Sequence, residues 1–290
     1  MQLVTWNTQW CCGLDGVVSP QRIVQHARAL ADFDVLCLQE IAVHYPALQG
    51  NAGHDQVALL RALLPGYQVF FGAAVDEWTP QGQRQRFGNL IATRLPVLQL
   101  QHYPLPYPAD AGVRSMPRMC TVATVQDPAL GAVRVMTTHL EFYSKRQRMA
   151  QARALRALHG QACGHAVAPP EASGDGSPFQ SKAHTPHAVL CGDFNFEPHE
   201  PEHAAICTPT GVDDSEGAPP GTRLWDSWRL LHAHAPQPPT FRLYDRTYGP
   251  EPASCDFVFV SDSLKDRVQR FVVDAATQAS DHQPVAVSIG

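Results

Sequence analysis

Side chains that could do chemistry recur immediately beside the apolar, strand-like segments of this sequence. They are carboxylates, amides and imidazoles: Asn7, Glu40, His139, Asp193, Asn195, Asp256, Asp281 and His282. Carboxylate and amide oxygens are the ligands that a hard cation such as Mg²⁺ prefers, and an asparagine can orient a phosphate or a water molecule without adding charge. The pattern therefore favours a metal-assisted site for phosphate chemistry.

Taken one at a time, these residues have ordinary structural interpretations. A single Asp or Asn after a strand is most often a turn residue. His139 alone is more typical of a packed or surface histidine than of a catalyst, and Asp281-His282 alone fits a turn with a local hydrogen bond. Short motif matches produce false positives, so the functional hypothesis depends on the whole set in its order along the chain.

The elements that must position this set alternate between strand and helix signals. Short apolar segments predict strands at residues 3–6, 35–38, 69–71, 90–92, 120–125, 133–137, 188–191, 257–260 and 284–289. Ser19-Pro20 and Ser144 to Gln147 are helix N-terminal signals, and Asp55 to Leu64 predicts a helix that Pro65-Gly66 ends. Strands and helices mixed throughout predict one layered α/β domain over residues 1–290.

Two stretches lack any hydrophobic period. Residues 161–187 are rich in Ala, Pro, Gly, Ser and His and predict a long surface loop, and residues 208–222 predict a second irregular stretch. Aromatic and arginine side chains are concentrated in four further segments, which we expect to be substrate-selecting loops: 10–16, 76–86, 103–118 and 240–254. Arginine beside aromatic rings suits phosphate and base contacts, although such rings also serve as loop anchors.

Composition excludes several classes of protein. Of the 290 residues 44% are apolar and 17% charged, with a net charge of −5, which argues against a disordered tail and against a strongly basic nucleic-acid-binding surface. No apolar run approaches the roughly 20 residues of a membrane-spanning helix, and no signal peptide is visible. The eight cysteines include no CxxC pair. We therefore expect a cytoplasmic protein with no membrane insertion and no obligate protein partner.

Seven short motifs, in order along the chain, carry a resemblance to a known family. They are Thr5-Trp6-Asn7, Leu38-Gln39-Glu40, Gly88-Asn89 through Arg94-Leu95-Pro96, Thr138-His139-Leu140, Gly192-Asp193-Phe194-Asn195, Cys255-Asp256-Phe257 and Ser280-Asp281-His282. In this order the sequence resembles the endonuclease/exonuclease/phosphatase superfamily, the metal-dependent hydrolases built like pancreatic deoxyribonuclease. Gly-Asp-Phe-Asn followed by Ser-Asp-His near the C-terminus is the most specific part of the pattern.

The resemblance implies a fold and a cofactor. The fold is a four-layer α/β/β/α sandwich, in which two packed mixed sheets are flanked by helices and the site lies at one end. The cofactor is Mg²⁺ or Mn²⁺, with Glu40 as the main ligand and with Asn7 and Asp281 beside the ion, partly acting through water. Four carboxylates, at positions 40, 193, 256 and 281, would otherwise repel one another unless some of them bound protons.

The same resemblance implies a catalytic role for five residues. Asp193 would polarise or deprotonate the attacking water, and Asn195 would hold that water or the phosphate. His282, oriented by Asp256, would contact the phosphate, and His139 would be a second phosphate contact or the general acid. A metal and two imidazoles would together stabilise the charge that builds on the oxygens during in-line attack on phosphorus.

Three further side chains are expected to bind the substrate: Asn89, Arg118 and Arg148. The segment Thr138 to Glu141 followed by Arg148 and Gln151 is similar to the tyrosyl-DNA phosphodiesterase branch, with related patterns in deadenylase-like and lipid-directed branches. Arg148 and Gln151 share a helix face. An equally good interpretation is that both residues only brace the loop that carries His139.

The sequence therefore predicts a divalent-metal-dependent phosphoesterase that hydrolyses a phosphodiester or a phosphomonoester in nucleic acid or in a small phosphorylated molecule. The net negative charge favours a short or small substrate. Two alternatives are a non-catalytic binding or regulatory module on the same fold, and a phosphoesterase directed at lipid or inositol phosphates. No loop has the apolar character of a membrane-docking segment, which disfavours a lipid substrate.

Overall fold

Strands and short helices alternate along the described part of the chain, which is residues 1–179, 184–210 and 218–290 of the computed structural model. The strands are β1 (Gln2–Asn7), β2 (Val35–Val43), β3 (Gln68–Trp78), β4 (Arg84–Thr93), β5 (Val97–Pro104), β6 (Met119–Asp127), β7 (Gly131–His139), β8 (Ala188–Asp193), β9 (Leu224–Asp226), β10 (Asp256–Ser261), β11 (Val268–Val273) and β12 (Val285–Ile289). The α-helices are α1 (Pro20–Leu30), α2 (Gln56–Leu63), α3 (Lys145–Val167), α4 (Pro201–Cys207) and α5 (Ser227–Leu231), and a 3₁₀ helix covers Asp262–Arg267.

The strands form two six-stranded sheets, in the orders β11-β12-β1-β2-β4-β3 and β5-β6-β7-β8-β10-β9. In the middle of each sheet one pair runs parallel, β1 beside β2 and β7 beside β8, whereas the other neighbours are antiparallel. Parallel neighbours end at the same edge of a sheet. Asn7 therefore lies beside Gln39, and His139 lies beside Asp193.

Three hydrophobic clusters hold the layers together. Alternate residues of a strand point to opposite faces, so Leu3 and Cys37 lie between the sheets, while Val4 and Leu36 pack outward against α1 and α2. On the outer face of the second sheet, α3 packs through Leu155, and α4 joins the same cluster. The predicted α/β/β/α sandwich is confirmed.

Two of the predicted helix starts have the expected side-chain caps. The Ser19 hydroxyl accepts a hydrogen bond from the Arg22 backbone N–H at 3.2 Å and begins α1. The Ser144 hydroxyl accepts from the Gln147 N–H at 3.1 Å and begins α3. Gln147 does not complete a capping box, since its Oε1 has no hydrogen-bond partner in the described structure. Its NH₂ group donates to the Pro108 carbonyl at 3.0 Å and so ties α3 to the segment before β6.

Some of the predicted irregular segments are regular. Helix α3 continues to Val167, so the prediction of a loop from residue 161 is wrong at its start. Gln and Ala in this stretch are good helix formers, and the helix ends just before Pro169-Pro170, where proline prevents continuation. The predicted loop 76–86 is largely a hairpin formed by the ends of β3 and β4.

The sequence analysis also missed strands β5, β9 and β11 and helices α4 and α5. Residues 180–183 and 211–217, which belong to the two stretches predicted to be irregular, lie outside the described residues. Among the residues that the structure describes, no helix is both long and apolar enough to cross a bilayer.

Gly192 determines how closely β7 approaches β8, and so where Asp193 lies. Its φ is +139°, and a Cβ at this position would lie 1.9 Å from the Thr138 carbonyl oxygen. We expect Gly192→Ala to lower the free energy of unfolding by about 2–5 kcal/mol through overpacking and backbone strain, as measured by urea denaturation. Gly174→Ala is the control, because its Cβ would meet no atom within 4 Å. Equal stability of the two variants would contradict this explanation.

Candidate active site

A β-bulge aims Glu40 at the edge where the parallel strands end. The register between β2 and β4 shifts between Leu38 and Ile41, and Glu40 has φ +62°. This left-handed conformation is strained for a residue with a Cβ, and bulges commonly re-aim a side chain in this way. Asn195, just after β8, is also left-handed with φ +53°, which asparagine tolerates. Both residues line the same cavity.

Asn7 links the two sheets through its side-chain amide. Its NH₂ group donates to Glu40 Oε1 at 3.1 Å and to Asp193 Oδ2 at 2.9 Å, and its Oδ1 accepts from the Gln9 backbone N–H at 3.2 Å. An ionised carboxylate can only accept hydrogen bonds. The end of the Asn7 amide that faces Glu40 and Asp193 must therefore be its NH₂ group. In this arrangement Asn7 positions Glu40 and Asp193.

His282 is held between two carboxylates. Its Nδ1 lies 2.9 Å from Asp256 Oδ2, and its Nε2 lies 3.6 Å from Asp193 Oδ2. The Trp6 indole N–H donates to the His282 carbonyl at 2.8 Å, and the Phe241 ring stacks on the imidazole at a centroid distance of 4.3 Å. Although burial alone would lower the pKa of His282, the two carboxylates raise it well above its usual value.

His139 contacts the same Asp193 oxygen as His282, but its pKa is shifted in the opposite direction. Its Nε2 is 3.4 Å from Asp193 Oδ2, and its Nδ1 is 3.8 Å from Glu40 Oε1. Burial lowers the pKa of His139 well below its usual value, and the nearby positive charges of Arg118 and His282 lower it further. The site therefore holds one neutral and one protonated imidazole, a division that suits two different proton-transfer roles.

The carboxylates of the cluster hold protons more readily than usual. Burial and the nearby Asp281 raise the pKa of Glu40 to about 7. Burial, with the charge of Asp256, raises the pKa of Asp193 to about 6, even though His282 and Asn7 oppose this shift. Burial also raises the pKa of Asp281. A positive charge placed among these groups would stabilise their ionised forms.

A cavity of about 540 Å³ opens over the cluster. Its polar lining includes six of the predicted site residues: Glu40, His139, Asp193, Asn195, Asp281 and His282. Its aromatic lining consists of Trp10, Tyr45, Phe87, Phe142, Tyr143, Phe241 and Tyr248. The carboxylates and the imidazoles thus share one space with room for a substrate.

Arg118, expected to bind substrate, also lines this cavity. Its Nε donates to Glu141 Oε2 at 3.2 Å, and both side chains are buried. Its Nη1 is buried as well and has no hydrogen-bond partner in the described structure. Arg118 therefore retains a donor for an anion, and its charge is near enough to His139 to influence that ring.

Asn89 and Arg148, the other two predicted substrate contacts, do not line the cavity. The buried Asn89 amide donates to the Met119 carbonyl at 3.3 Å and so connects the two sheets. Arg148 is buried in α3, where its guanidinium donates to the carbonyls of Glu141 and Phe142 and pairs with Glu202 at 3.4 Å. In this structure Asn89 joins the two sheets, and Arg148 braces the loop after His139, which is the alternative interpretation that the sequence left open.

Gln151 has the same bracing role, since its Oε1 accepts from the Glu141 backbone N–H at 2.9 Å. The sequence analysis missed Phe142 and Tyr143, which follow this segment and form part of the cavity wall. Their position directly after the His139 motif was the signal that could have identified them. Glu141 was noted as part of a motif, but its pairing with Arg118 is visible only in the structure.

Comparisons with known proteins agree with this geometry. A family model described as the Endonuclease/Exonuclease/phosphatase family matches residues 4–282, which is nearly the whole chain. The chain belongs to the endonuclease/exonuclease/phosphatase family. The resemblance inferred from the ordered motifs is confirmed, and membership supports hydrolysis of phosphate esters at that general level. No curated protein matches the chain significantly.

Several solved structures share the fold of this endonuclease/exonuclease/phosphatase family member. A family protein from Beutenbergia cavernae has 24% identity and a TM-score of 0.66, covering 100% of this chain and 72% of its own. A mannosyl-6-phosphatase from Bacteroides thetaiotaomicron has 19% identity and a TM-score of 0.65, covering 100% and 99%. The catalytic domain of human Nocturnin, with a bound sulfate anion, has 17% identity and a TM-score of 0.56, covering 100% and 94%.

The raised pKa of Glu40 predicts how this side chain affects stability in the presence of a chelator. Its pKa of about 7, against 4.5 for an unperturbed glutamate, means that folding stability is lost as the pH rises through this interval. Glu40→Gln removes the charge. We therefore expect the variant to exceed the original protein in free energy of unfolding by ~3 kcal/mol near pH 8, and by much less near pH 5.

Urea denaturation at several pH values measures this difference directly. Glu171→Gln is the control, because Glu171 is exposed and does not line the cavity. A stability gain for Glu40→Gln that does not change with pH would show that Glu40 is not a strained buried acid.

Proposed function

We propose that the protein is a divalent-metal-dependent phosphoesterase that hydrolyses a phosphodiester or phosphomonoester in nucleic acid or in a small phosphorylated molecule. The observation that carries this proposal is the position of the Asp193 carboxylate. It lies within 3.6 Å of polar nitrogens of Asn7, His139 and His282, and it faces a cavity that Glu40 also lines. A carboxylate that can act as a base, two imidazoles and further carboxylates surround one space, and this arrangement suits hydrolysis at phosphorus.

The donor set of the cavity fits a hard divalent cation. Glu40 and Asp281 offer carboxylate oxygens. Burial is the main cause that raises the pKa of each, and nearby carboxylates add to it, so a cation would stabilise the ionised forms of both. Oxygen donors of this kind favour Mg²⁺ or Mn²⁺. When bound, such an ion supplies charge neutralisation for the phosphate oxygens and the leaving group. The hydrogen bond from the Asn7 amide to Glu40 Oε1 keeps the Glu40 side chain in place.

In the proposed mechanism Asp193 accepts a proton from the attacking water. Its Oδ1 accepts from the Asn195 backbone N–H at 2.9 Å, and its Oδ2 accepts from the Asn7 amide at 2.9 Å. These two bonds fix the direction of the carboxylate. A general base needs this fixed geometry within hydrogen-bond reach of the water. The Asn195 amide, which also donates to the Leu140 carbonyl at 2.9 Å, borders the same space.

In the proposed mechanism the positive groups around the cavity stabilise the transition-state charge. Protonated His282, supported by Asp256, can donate to a phosphate oxygen through Nε2. The free Nη1 of Arg118 provides a second donor. His139 remains neutral and can pass a proton to or from the leaving oxygen. Preorganised donors of this kind supply a large part of phosphoryl-transfer catalysis.

The direct test is hydrolysis of a substrate panel in Mg²⁺ or Mn²⁺ and in EDTA. The panel contains single-stranded and duplex DNA, RNA, 5′-tyrosyl DNA, inositol phosphates, sphingomyelin and sugar phosphates. We expect metal-dependent turnover of at least one substrate, and a loss of about 10²–10⁴-fold in Asp193→Asn, as for a missing general base. Asp262→Asn, at an exposed aspartate, is the matched control. Turnover that survives EDTA and Glu40→Gln would exclude the metal, and no turnover at all would favour a binding module.

The pairing of Asp256 with His282 predicts a non-additive double mutant. If Asp256 acts only through His282, His282→Ala already removes most of the rate acceleration that Asp256→Asn removes, because the effects of residues that act as a unit are not additive. We expect each single variant to lose about 10²–10⁴-fold in kcat, and the double variant to be little worse than His282→Ala. Steady-state kinetics on the best substrate of the panel measures the cycle. Fully additive losses would show that the two residues act independently.

A further inference from the structure

The thiol of Cys255 lies behind the His282 imidazole. Cys255 and its neighbour Asp256 do not line the cavity. Cys255 Sγ is 3.6 Å from Asp256 Oδ2 and 4.0 Å from His282 Nδ1, and these two atoms are 2.9 Å from each other. The Asp193 carboxylate, Cys255 Sγ and a ring nitrogen of His282 lie within 4.8 Å of one another. Sulfur, nitrogen and carboxylate donors therefore converge on one buried position.

We propose that Cys255, Asp256 and His282, with Asp193 beside them, form a second metal site that binds Zn²⁺ or another thiophilic divalent ion and inhibits the enzyme. The donor types are those of protein zinc sites. With Zn–S near 2.3 Å and Zn–N and Zn–O near 2.0 Å, the donors of a tetrahedral site lie roughly 3.2–3.7 Å apart. The three separations above bracket this range, so only small side-chain shifts bring the donors into place.

An independent observation points to a cation at this position. Asp256 is 1% exposed, and its Oδ1 has no hydrogen-bond partner in the described structure. A buried carboxylate oxygen without a partner is costly. The other oxygen already accepts from both His282 and the Cys255 thiol. A metal ion held by this carboxylate would replace the two protons that Cys255 and His282 now direct at Oδ2, and it would offset the negative charge that Oδ1 leaves without a partner.

The softness of the thiolate separates this site from the hard-cation site of Glu40 and Asp281. Mg²⁺ prefers oxygen donors, whereas Zn²⁺ and Co²⁺ bind thiolate and imidazole well. Binding releases the thiol proton of Cys255 and the ring proton of His282 to the solvent. The hydrogen bond between Asp256 and His282 is then lost. The inhibitory role rests on the proposed function, because metal binding would remove the proton from His282, and the proposed mechanism needs this imidazole protonated.

A second buried cysteine–histidine pair lacks these properties and provides a matched control. Cys163 Sγ lies 3.7 Å from His159 Nε2, and His159 also contacts the Arg134 guanidinium at 2.9 Å. The positive charge of Arg134 opposes a cation there, and no ionisable group near Cys163 other than Arg134 affects its pKa. Cys163 and Cys255 are thus both buried thiols beside a histidine, but only Cys255 has carboxylates nearby.

Cobalt spectroscopy of the reduced full chain tests binding without reference to activity. On Co²⁺ titration we expect one equivalent to produce a thiolate-to-cobalt charge-transfer band that Zn²⁺ removes. The band should be lost in Cys255→Ser and in Cys255→Ala and retained in Cys163→Ala. Both Cys255 variants are used so that one folded variant suffices, with circular dichroism as the check on folding. An undiminished band in a folded Cys255 variant would overturn the site.

Inhibition is measured separately, with Mg²⁺ in large excess. We expect Zn²⁺ to inhibit the original protein and Cys163→Ala equally, and the Zn²⁺ concentration for half-inhibition to rise at least tenfold in Cys255→Ser, with the inhibition of each variant expressed relative to its own activity without Zn²⁺. Equal Zn²⁺ sensitivity of Cys255→Ser would overturn the regulatory role. If no substrate of the panel is hydrolysed, the proposed function fails, while the cobalt band still decides whether the site exists.

Discussion

Four carboxylates are gathered in one small volume where the two sheets end, and much of the surrounding structure serves to hold them there. Burial raises the pKa values of Glu40, Asp193 and Asp281, and charge repulsion adds to the effect. The neighbouring side chains oppose this penalty. Asn7 donates to two of the carboxylates, and protonated His282 lies between two of them. The proposed metal ion would offset the negative charge that these neighbouring side chains do not neutralise.

Strand topology determines which residues share this volume. The central parallel pair of each sheet ends at the same edge, so that Asn7 meets the Glu40 bulge in one sheet and His139 meets Asp193 in the other. The antiparallel pairing of β8 with β10 then sets Asp256 directly opposite Asp193. A hydrophobic cluster between the sheets keeps their ends in contact, so the site depends on the core although its own residues are polar.

Sequence analysis identified the cluster because each of its residues lies beside a locally recognisable strand, and the order of the motifs is specific. It could not determine which way a side chain points where a tertiary contact decides this. Arg148 lies on the predicted helix, but Glu202 of the unpredicted helix α4 pairs with it and draws it away from the cavity. Asn89 is turned toward the Met119 carbonyl of the other sheet. Cys255 was recognised only as the first residue of the motif with Asp256, and its contacts with Asp256 and His282 are visible only in the structure.

The central claim is that the carboxylate cluster requires a divalent cation, and isothermal titration calorimetry with Mn²⁺ tests it most directly, without any assumption about substrate. The account predicts saturable binding to the metal-free protein that is weakened at least tenfold by Glu40→Gln and by Asp281→Asn, with Glu171→Gln binding as the original protein does. Absence of binding, or binding that neither substitution at the cavity weakens, would contradict the account.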